Sequence, residues 1–425
     1  MPPSRYRRTM AACCCAYLTQ AAVVCLPPLL FMPLRDQYGL SYTMLGALIF
    51  VNFVTQVLCD LLFSRRLDRH GCRPFVLCAS VLVAAGFCCY ALTPVILPGN
   101  VCMGLFCSTV IFSGAGGLLE ITLSPIIDRI TAEAKGAAMS FLHSFYAWGQ
   151  VLVVAVTTVL LSVFGNTAWR FILLGWIFLP VLTFVLFTGV PLAPPPPAEK
   201  TQRMRPLLAD AYFRTAMLAI AFGSAAELCV AQWSSSFMER GVGLPKLAGD
   251  LLGTGFFALM LGIGRLLYGL FGAKLRLSRV LAGSCLIAAG CYLTLAFCHT
   301  PAAAIAACGL TGLSTSLLWP GTLVLAGERY PMAGAWMFAI LSCAGDIGGS
   351  AGPWLIGILA DAAQRIPMPQ WFAASAEQSG FRLSVLAGTI FPLAACFCYL
   401  RMSRCRRKKR RIARKKDSGI RDFHV

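Results

Sequence analysis

Twelve apolar runs follow one another along this chain of 425 residues, most of them about as long as a bilayer is thick. They fall near residues 10–34, 42–63, 75–97, 100–125, 136–163, 169–192, 213–237, 248–271, 280–298, 302–326, 334–360 and 383–400. A helix crosses the hydrocarbon core with roughly 20 mostly apolar residues. Hydrophobic side chains make up 58% of the chain and charged ones 12%, about half the charged share of a water-soluble domain. That balance excludes a soluble enzyme, a disordered chain and a collagen-like one. Backbone polar groups in lipid must be satisfied within their own segment, so each run is expected to be a helix.

The start of the chain, Arg5-Tyr-Arg-Arg before an apolar run, has the form of a signal peptide. The run is too long for one and eleven more follow, so it is read as the first span. The formal net charge is +19. With both termini placed in the cytoplasm, the inner segments hold twenty-nine basic residues and the outer loops six. The six are Arg35, Arg170, Arg240, Lys246, Arg365 and Arg382. The positive-inside rule therefore puts both ends in the cytoplasm, with a cell membrane as the expected location. Residues 402–425 form a basic tail directly after an apolar span, which suits anionic lipid headgroups rather than nucleic acid. The twenty cysteines sit mostly inside apolar runs, as in Cys13-Cys14-Cys15 and Cys88-Cys89. They are read as small apolar filler, with acylation of the first cluster as the alternative.

One connection has the composition of a domain linker. Residues 193–211 carry Pro194 to Pro197 and then Lys200, Arg203 and Arg205. They divide the chain into an N-terminal six-helix bundle, 1–192, and a C-terminal one, 212–401. The halves resemble each other weakly. Asp60-Leu-Leu-Phe-Ser64 in span 2 matches Arg265-Leu-Leu-Tyr-Gly269 in span 8, and Gly149-Gln150 in span 5 matches Gly345-Asp346 in span 11. The expected fold is an all-α integral membrane protein of twelve transmembrane helices in two pseudo-symmetric bundles.

The loop after span 2 reads Ser64-Arg-Arg-Leu-Asp68-Arg69-His70-Gly71-Cys72-Arg73. It resembles the G-x-x-x-D-R-x-G-R-R signature between spans 2 and 3 of the major facilitator superfamily. Ser stands for the first Gly and Cys for the penultimate Arg. In that family the Asp caps a helix of the facing half and holds the inner gate shut. The resemblance implies that role for Asp68, opposite the start of span 11 near Met332 to Trp336, with Arg69, Gly71 and Arg73 around it. A carboxylate beside a helix N-terminus is favoured by free N–H groups and the macrodipole.

Ionisable groups within spans are costly in lipid and mark function by default. They are Asp60, Glu120, Glu227, Arg265 and Asp346, with His143 the one intramembrane histidine. A carboxyl group taken out of water holds its proton to higher pH, which a proton-coupled carrier needs. A structural ion pair, Arg265 with Asp60 or Glu120, is the competing expectation. One arginine does not neutralise four acids.

Glu120 lies in Ser113-Gly-Ala-Gly-Gly-Leu-Leu-Glu120-Ile-Thr-Leu-Ser124-Pro125. This is similar to span 4 of the fucose-permease branch, where a Glu after glycines and before Asn-Pro is a protonation site for proton–sugar symport. Ser124 replaces the Asn. Span 1 offers Tyr17, Thr19 and Gln20 where that branch has a second acid, leaving Glu227 or Asp346 to substitute. Polar stripes at helical spacing add Asn52 and Gln56 on span 2, His143, Tyr146 and Gln150 on span 5, and Gln232 and Trp233 on span 7. With Gln20, they suit a polyol-like solute, and they equally suit hydrogen bonding between helices. Trp148, Trp319 and Trp336 are read as packing or lipid-facing.

No cofactor or metal is expected, because the four histidines are scattered and no nucleophile has an adjacent base. The resemblance implies secondary transport of a small polar, sugar-like solute with protons. A proton-coupled exporter of the same fold is the alternative, though the G-x-x-x-G-P-x-x-G-G motif of such exporters is absent from span 5. A sensor signalling through the basic tail is the more distant alternative.

Overall fold

The computed structural model describes residues 6–130, 135–192, 205–271, 276–330 and 334–404. The side chains of some helical residues, Asp68, Arg69, His143 and Trp336 among them, lie outside that description, as do most of the linker and nearly all of the basic tail. Regular structure among the described residues is helical. In chain order the long helices are α1 Arg7–Leu29, α2 Tyr42–His70, α3 Cys72–Ile96, α4 Val101–Ile130 and α5 Lys135–Phe164. Next come α6 Asn166–Gly189, α7 Ala211–Gly241 and α8 Lys246–Tyr268. Then follow α9 Leu277–Phe297, α10 Pro301–Arg329, α11 Gly334–Ala363 and α12 Ala376–Arg404.

Eleven of these are long and apolar enough to cross a membrane. The exception is α11. Its 30 residues give a length of about 45 Å, but Gly345, Gly348, Gly349, Gly352 and Asp346 dilute its hydropathy.

Several apolar runs are less regular than expected. The run 10–34 is not one helix, because Pro27 and Pro28 lack amide protons and disturb the helical ladder. Leu30 N instead donates to Pro27 O at 3.1 Å, and a short helix, Phe31–Tyr38, follows. Helix α7 ends in a π-turn, Phe237–Gly241, and α8 opens with another, Asp250–Gly255. Helix α10 bends between Thr315 and Leu318.

The packing repeats with a step of six helices. In the first half α1 packs on α5, α4 and α6, α2 on α4, and α3 on α4 and α6. In the second half α7 packs on α11 and α10, α8 on α10, and α9 on α10 and α12. Between the halves α2 packs on α11, α5 on α8 and α1 on α7, an arrangement that a two-fold exchange of halves leaves unchanged.

Small residues set these crossings. A Cβ on Gly149 would lie 2.7 Å from Ala21 Cβ on α1, and one on Gly348 would lie 2.6 Å from the Ala221 carbonyl carbon on α7. Gly348 is therefore the packing counterpart of Gly149. Gly345, which the sequence match pairs with Gly149, lies about one turn earlier and faces the Trp319 ring.

At the α2–α3 turn Gly71 has φ 76° and ψ 171°, a left-handed backbone that a side chain would strain. The described cysteines are free thiols. Cys13, Cys14 and Cys15 are buried by packing of α1 against its neighbours, which leaves their thiols little exposed to an acylating enzyme.

Candidate functional site

The acidic groups are brought together by glycine contacts one turn away. A Cβ on Gly117 of α4 would lie 2.8 Å from Gln56 O of α2, so the two backbones touch there. Glu120 and Asp60 follow by three and four residues, which places both on the next turn. Asp346 comes from α11 in the other half and is 7% exposed. Asp60 interacts electrostatically with Glu120 and Asp346, and Asp346 with Glu120. Asp60 Oδ1 is buried with no hydrogen-bond partner among the described residues.

Arg265 of α8 does not pair with Asp60 or Glu120, as the structural alternative expected. Its Nη2 stands 3.6 Å from Glu227 Oε1 on α7, and its Nε donates to Ser316 O at 3.4 Å. The reason is topological: α7 and α8 belong to one half, and the arginine finds its acid inside that half. Tyr146 of α5 lies in the field of Glu120, Glu227 and Arg265 together. Tyr17 of α1 shares a hydrogen bond with Ser124 and feels both Glu120 and Arg265. In the sequence Tyr17 is only one of the residues that span 1 offers where the resemblance would place a second acid. The five charged groups and two phenols form one constellation at the meeting of the halves.

The Arg265–Glu227 pair is testable by itself. Arg265→Gln should lower the unfolding temperature by stranding Glu227, and adding Glu227→Gln should recover most of the loss. The coupling expected from such a cycle is about 1–3 kcal/mol. Thermal unfolding of the four purified proteins measures it, and simple additivity would dissolve the pair.

Three amides connect α1 to α2. Gln20 Nε2 donates to Gln56 Oε1 at 2.8 Å, Gln56 Nε2 to Asn52 Oδ1 at 2.7 Å, and Asn52 Nδ2 to Val23 O at 3.3 Å. This relay joins helices, and it leaves Gln20 Oε1 buried without a partner among the described residues. Gln150 of α5 is 6% exposed and bonds with Cys25, and its Oε1 likewise has no partner among the described residues. Unpaired buried acceptors are rare enough to be read as capacity for a donor. Gln232 is buried on α7.

Trp233 belongs to a different structure. Its indole nitrogen donates to Pro353 O at 2.8 Å, and its ring packs against Phe31, Tyr42 and Phe381. This aromatic plug lies at the end of the molecule opposite the start of α1, hereafter the far end. The bonds around it join the halves. Arg35 Nη2 meets Glu377 Oε1 at 3.1 Å, Arg240 Nη2 meets Asp36 Oδ1 at 2.7 Å, and Tyr42 Oη donates to Glu377 at 3.1 Å. Lys246 bridges Asp250 at 3.0 Å and Leu29 O at 2.9 Å. Asp250, wholly buried, also accepts from Thr158 at 2.9 Å and from Ser235. In the sequence these residues register only as outer-loop charges, because their partners lie up to 342 positions away.

At the near end Arg73 donates to Thr188 O at 3.5 Å and to Val190 O, tying the α2–α3 turn to the end of α6. Asp68, Arg69 and His143, together with the segment expected to face Asp68, lie outside the described side chains.

Two bundles with a charged, polar constellation where they meet, and a plug beyond it, define a multi-pass membrane transporter. The Major Facilitator Superfamily model matches residues 10–353. The chain belongs to that family, whose members carry small solutes rather than catalyse reactions on them. A search of curated protein sequences finds no match.

Solved structures share the fold at low identity. A bacterial homologue of the human lysosomal transporter Spinster, inward-facing and occupied, aligns with TM-score 0.74 and 14% identity over 95% of this chain and 98% of its own. A D-xylose–proton symporter aligns at 0.76 and 16% over 94% and 97%. A nucleoside transporter aligns at 0.75 and 11% over 93% and 99%.

Proposed function

We propose that this protein is a twelve-span secondary active transporter that carries a small polar, sugar-like organic solute together with protons. The observation that carries the proposal is the shared position of Glu120, Asp60 and Asp346 at the meeting of the halves, with Arg265 engaged by Glu227. Glu120 is the coupling group, and Asp346 or Glu227 is the second titrating site. Gln20, Gln150 and Tyr146 offer bonds to solute hydroxyls, while Asn52 and Gln56 hold Gln20 in place. In a site built on hydrogen bonds, a solute lacking a partner group leaves buried atoms unpaired, which is the source of selectivity.

Helix α11 is the twelfth span, its polar content sheltered between α2 and α7. The two six-helix bundles rock about the site, joined by residues 193–211. Both termini face the cytoplasm of a cell membrane, and the basic tail from 402 to 425 rests on anionic headgroups. Asp68, with Arg69, Gly71 and Arg73, closes the cytoplasmic side in the manner of the family signature. The fold shared with a D-xylose–proton symporter supports the secondary-transport part of this reading.

The excess of acid over base at the site favours a second reading, exchange of protons for a cationic solute. One measurement separates the two. External pH is followed in lightly buffered, energy-depleted cells expressing the protein while sugars, polyols and sugar acids are added. Alkalinisation with a neutral sugar, absent in empty-vector cells, is the expected result. Silence across the panel, with transport of a lipophilic cation in the same cells, would replace symport by exchange.

A further inference from the structure

The first turn of any helix carries N–H groups without partners inside the helix. Helix α2 begins at the far end, and three of its first amides are occupied. Met44 N donates to its own N-cap, Ser41 Oγ, at 3.1 Å. The other two are satisfied from across the molecule. Tyr42 N donates to Asp361 Oδ1 at 3.1 Å and Thr43 N to Asp361 Oδ2 at 2.6 Å.

Asp361 lies in the last turn of α11, so one carboxylate of the second half caps a helix of the first with both oxygens. Charge-assisted bonds of this kind are about twice as strong as neutral ones, and the helix dipole adds to them. The backbones are in contact just below. A Cβ on Gly46 of α2 would lie 3.1 Å from Trp354 Cα, and one on Gly357 of α11 would lie 3.1 Å from Tyr42 C.

We infer that Asp361 is the latch of the far-end gate, the group whose release from the start of α2 lets that end of the molecule open. Helices α2 and α11 run antiparallel. The start of α2 therefore lies beside the end of α11 at the far end, and the end of α2 beside the start of α11 at the near end. The family signature assigns Asp68, near the end of α2, to capping α11. Asp361 does, at the opposite end of the same helix pair, the reciprocal of the task that the resemblance implies for Asp68. Glu377, which takes Tyr42 Oη and Arg35, steadies the same turn from α12.

This inference rests on the alternating-access reading above but not on the solute or the coupling ion. It is tested on the full-length protein in nanodiscs, without substrate, by hydrogen–deuterium exchange. Asp361→Asn keeps the size and removes the charge. Exchange should quicken about tenfold or more at the far end, in residues 31–46 and 353–381. It should slow at the near end, in residues 58–67 and 262–268. Ser41→Ala removes a cap within one half and should quicken residues 41–46 alone.

Unchanged far-end exchange in the Asn variant would overturn the latch. So would far-end loosening with no response at the near end, which would make Asp361 a local staple. A two-ended response to Ser41→Ala would also overturn it, since any fraying of α2 would then suffice. Because no solute or proton gradient enters the experiment, a failure here is distinct from a failure of the proposed symport.

Discussion

Glu120→Gln is expected to abolish gradient-driven accumulation while leaving solute exchange across the membrane intact. The amide keeps the shape and hydrogen-bonding size of the carboxyl group but has no proton to give or take. In a symporter the solute site and the protonation site are separate functions, so exchange of labelled for unlabelled solute needs only the former. A membrane potential of 100 mV is worth about 2.3 kcal/mol per elementary charge. With about 1.4 kcal/mol per factor of ten, one coupled proton sustains roughly fifty-fold accumulation. The variant should fall from that ratio to about one. Uptake in proteoliposomes under an imposed potential measures the first quantity and counterflow measures the second. A variant that still accumulates solute would move the coupling role to Asp346 or Glu227, where the same substitution can be read in turn.

Gly348→Val should have the larger effect on the fold. A Cβ at that position would stand 2.6 Å from the Ala221 carbonyl carbon, a backbone atom with no rotamer to escape into. Forcing even one extra carbon into a tight core costs about 1–3 kcal/mol and sometimes more, and valine adds two further methyls. The α7–α11 crossing would have to open, carrying Asp346 with it. The expected outcome is loss of the monodisperse folded protein, or a fall of many degrees in its unfolding temperature. Gly290→Ala on α9 is the matched control. Nothing lies within 4 Å of a Cβ there, and the change should be neutral or stabilising by about 0.5–1 kcal/mol. Size-exclusion profiles after heating separate the two. Equal behaviour would mean that the α7–α11 contact is looser than described.

Hydropathy made the helices legible because lipid allows a chain few options. It did not reveal the break at Pro27 and Pro28, which lies inside an otherwise unbroken apolar run. Glu120, Asp60 and Asp346 stood out in the sequence as charges where charges are costly, and the structure sets them within one another's field. Arg265 shows the limit of that reasoning. Its cost is visible in the sequence, but its partner is decided by which half the helix belongs to, and Glu227 was one of four acids on offer.

Trp233 is similar: an aromatic near polar residues at helical spacing serves a solute site or a plug equally well. Only the positions of Phe31, Tyr42 and Phe381, from distant segments, separate the two. Of the far-end charges, the sequence reading reaches only the basic ones, such as Arg35 and Arg240, and those by side of the membrane rather than by partner. Asp361 and Glu377 find Tyr42 and Arg35 across more than three hundred residues.

The glycines that let α11 lie close against α7 also govern how the chain is made. A helix enters the bilayer readily by itself when its apolarity outweighs its polar content, and α11, with its glycines and Asp346, is less apolar than the other eleven. On the twelve-span reading proposed above, α2 and α7, made before it and packed against it, would offer its polar face protein surface instead of acyl chains. Substitutions on those two helices that spare every charged group should therefore reduce yield by stranding α11 outside the membrane, before any question of transport arises.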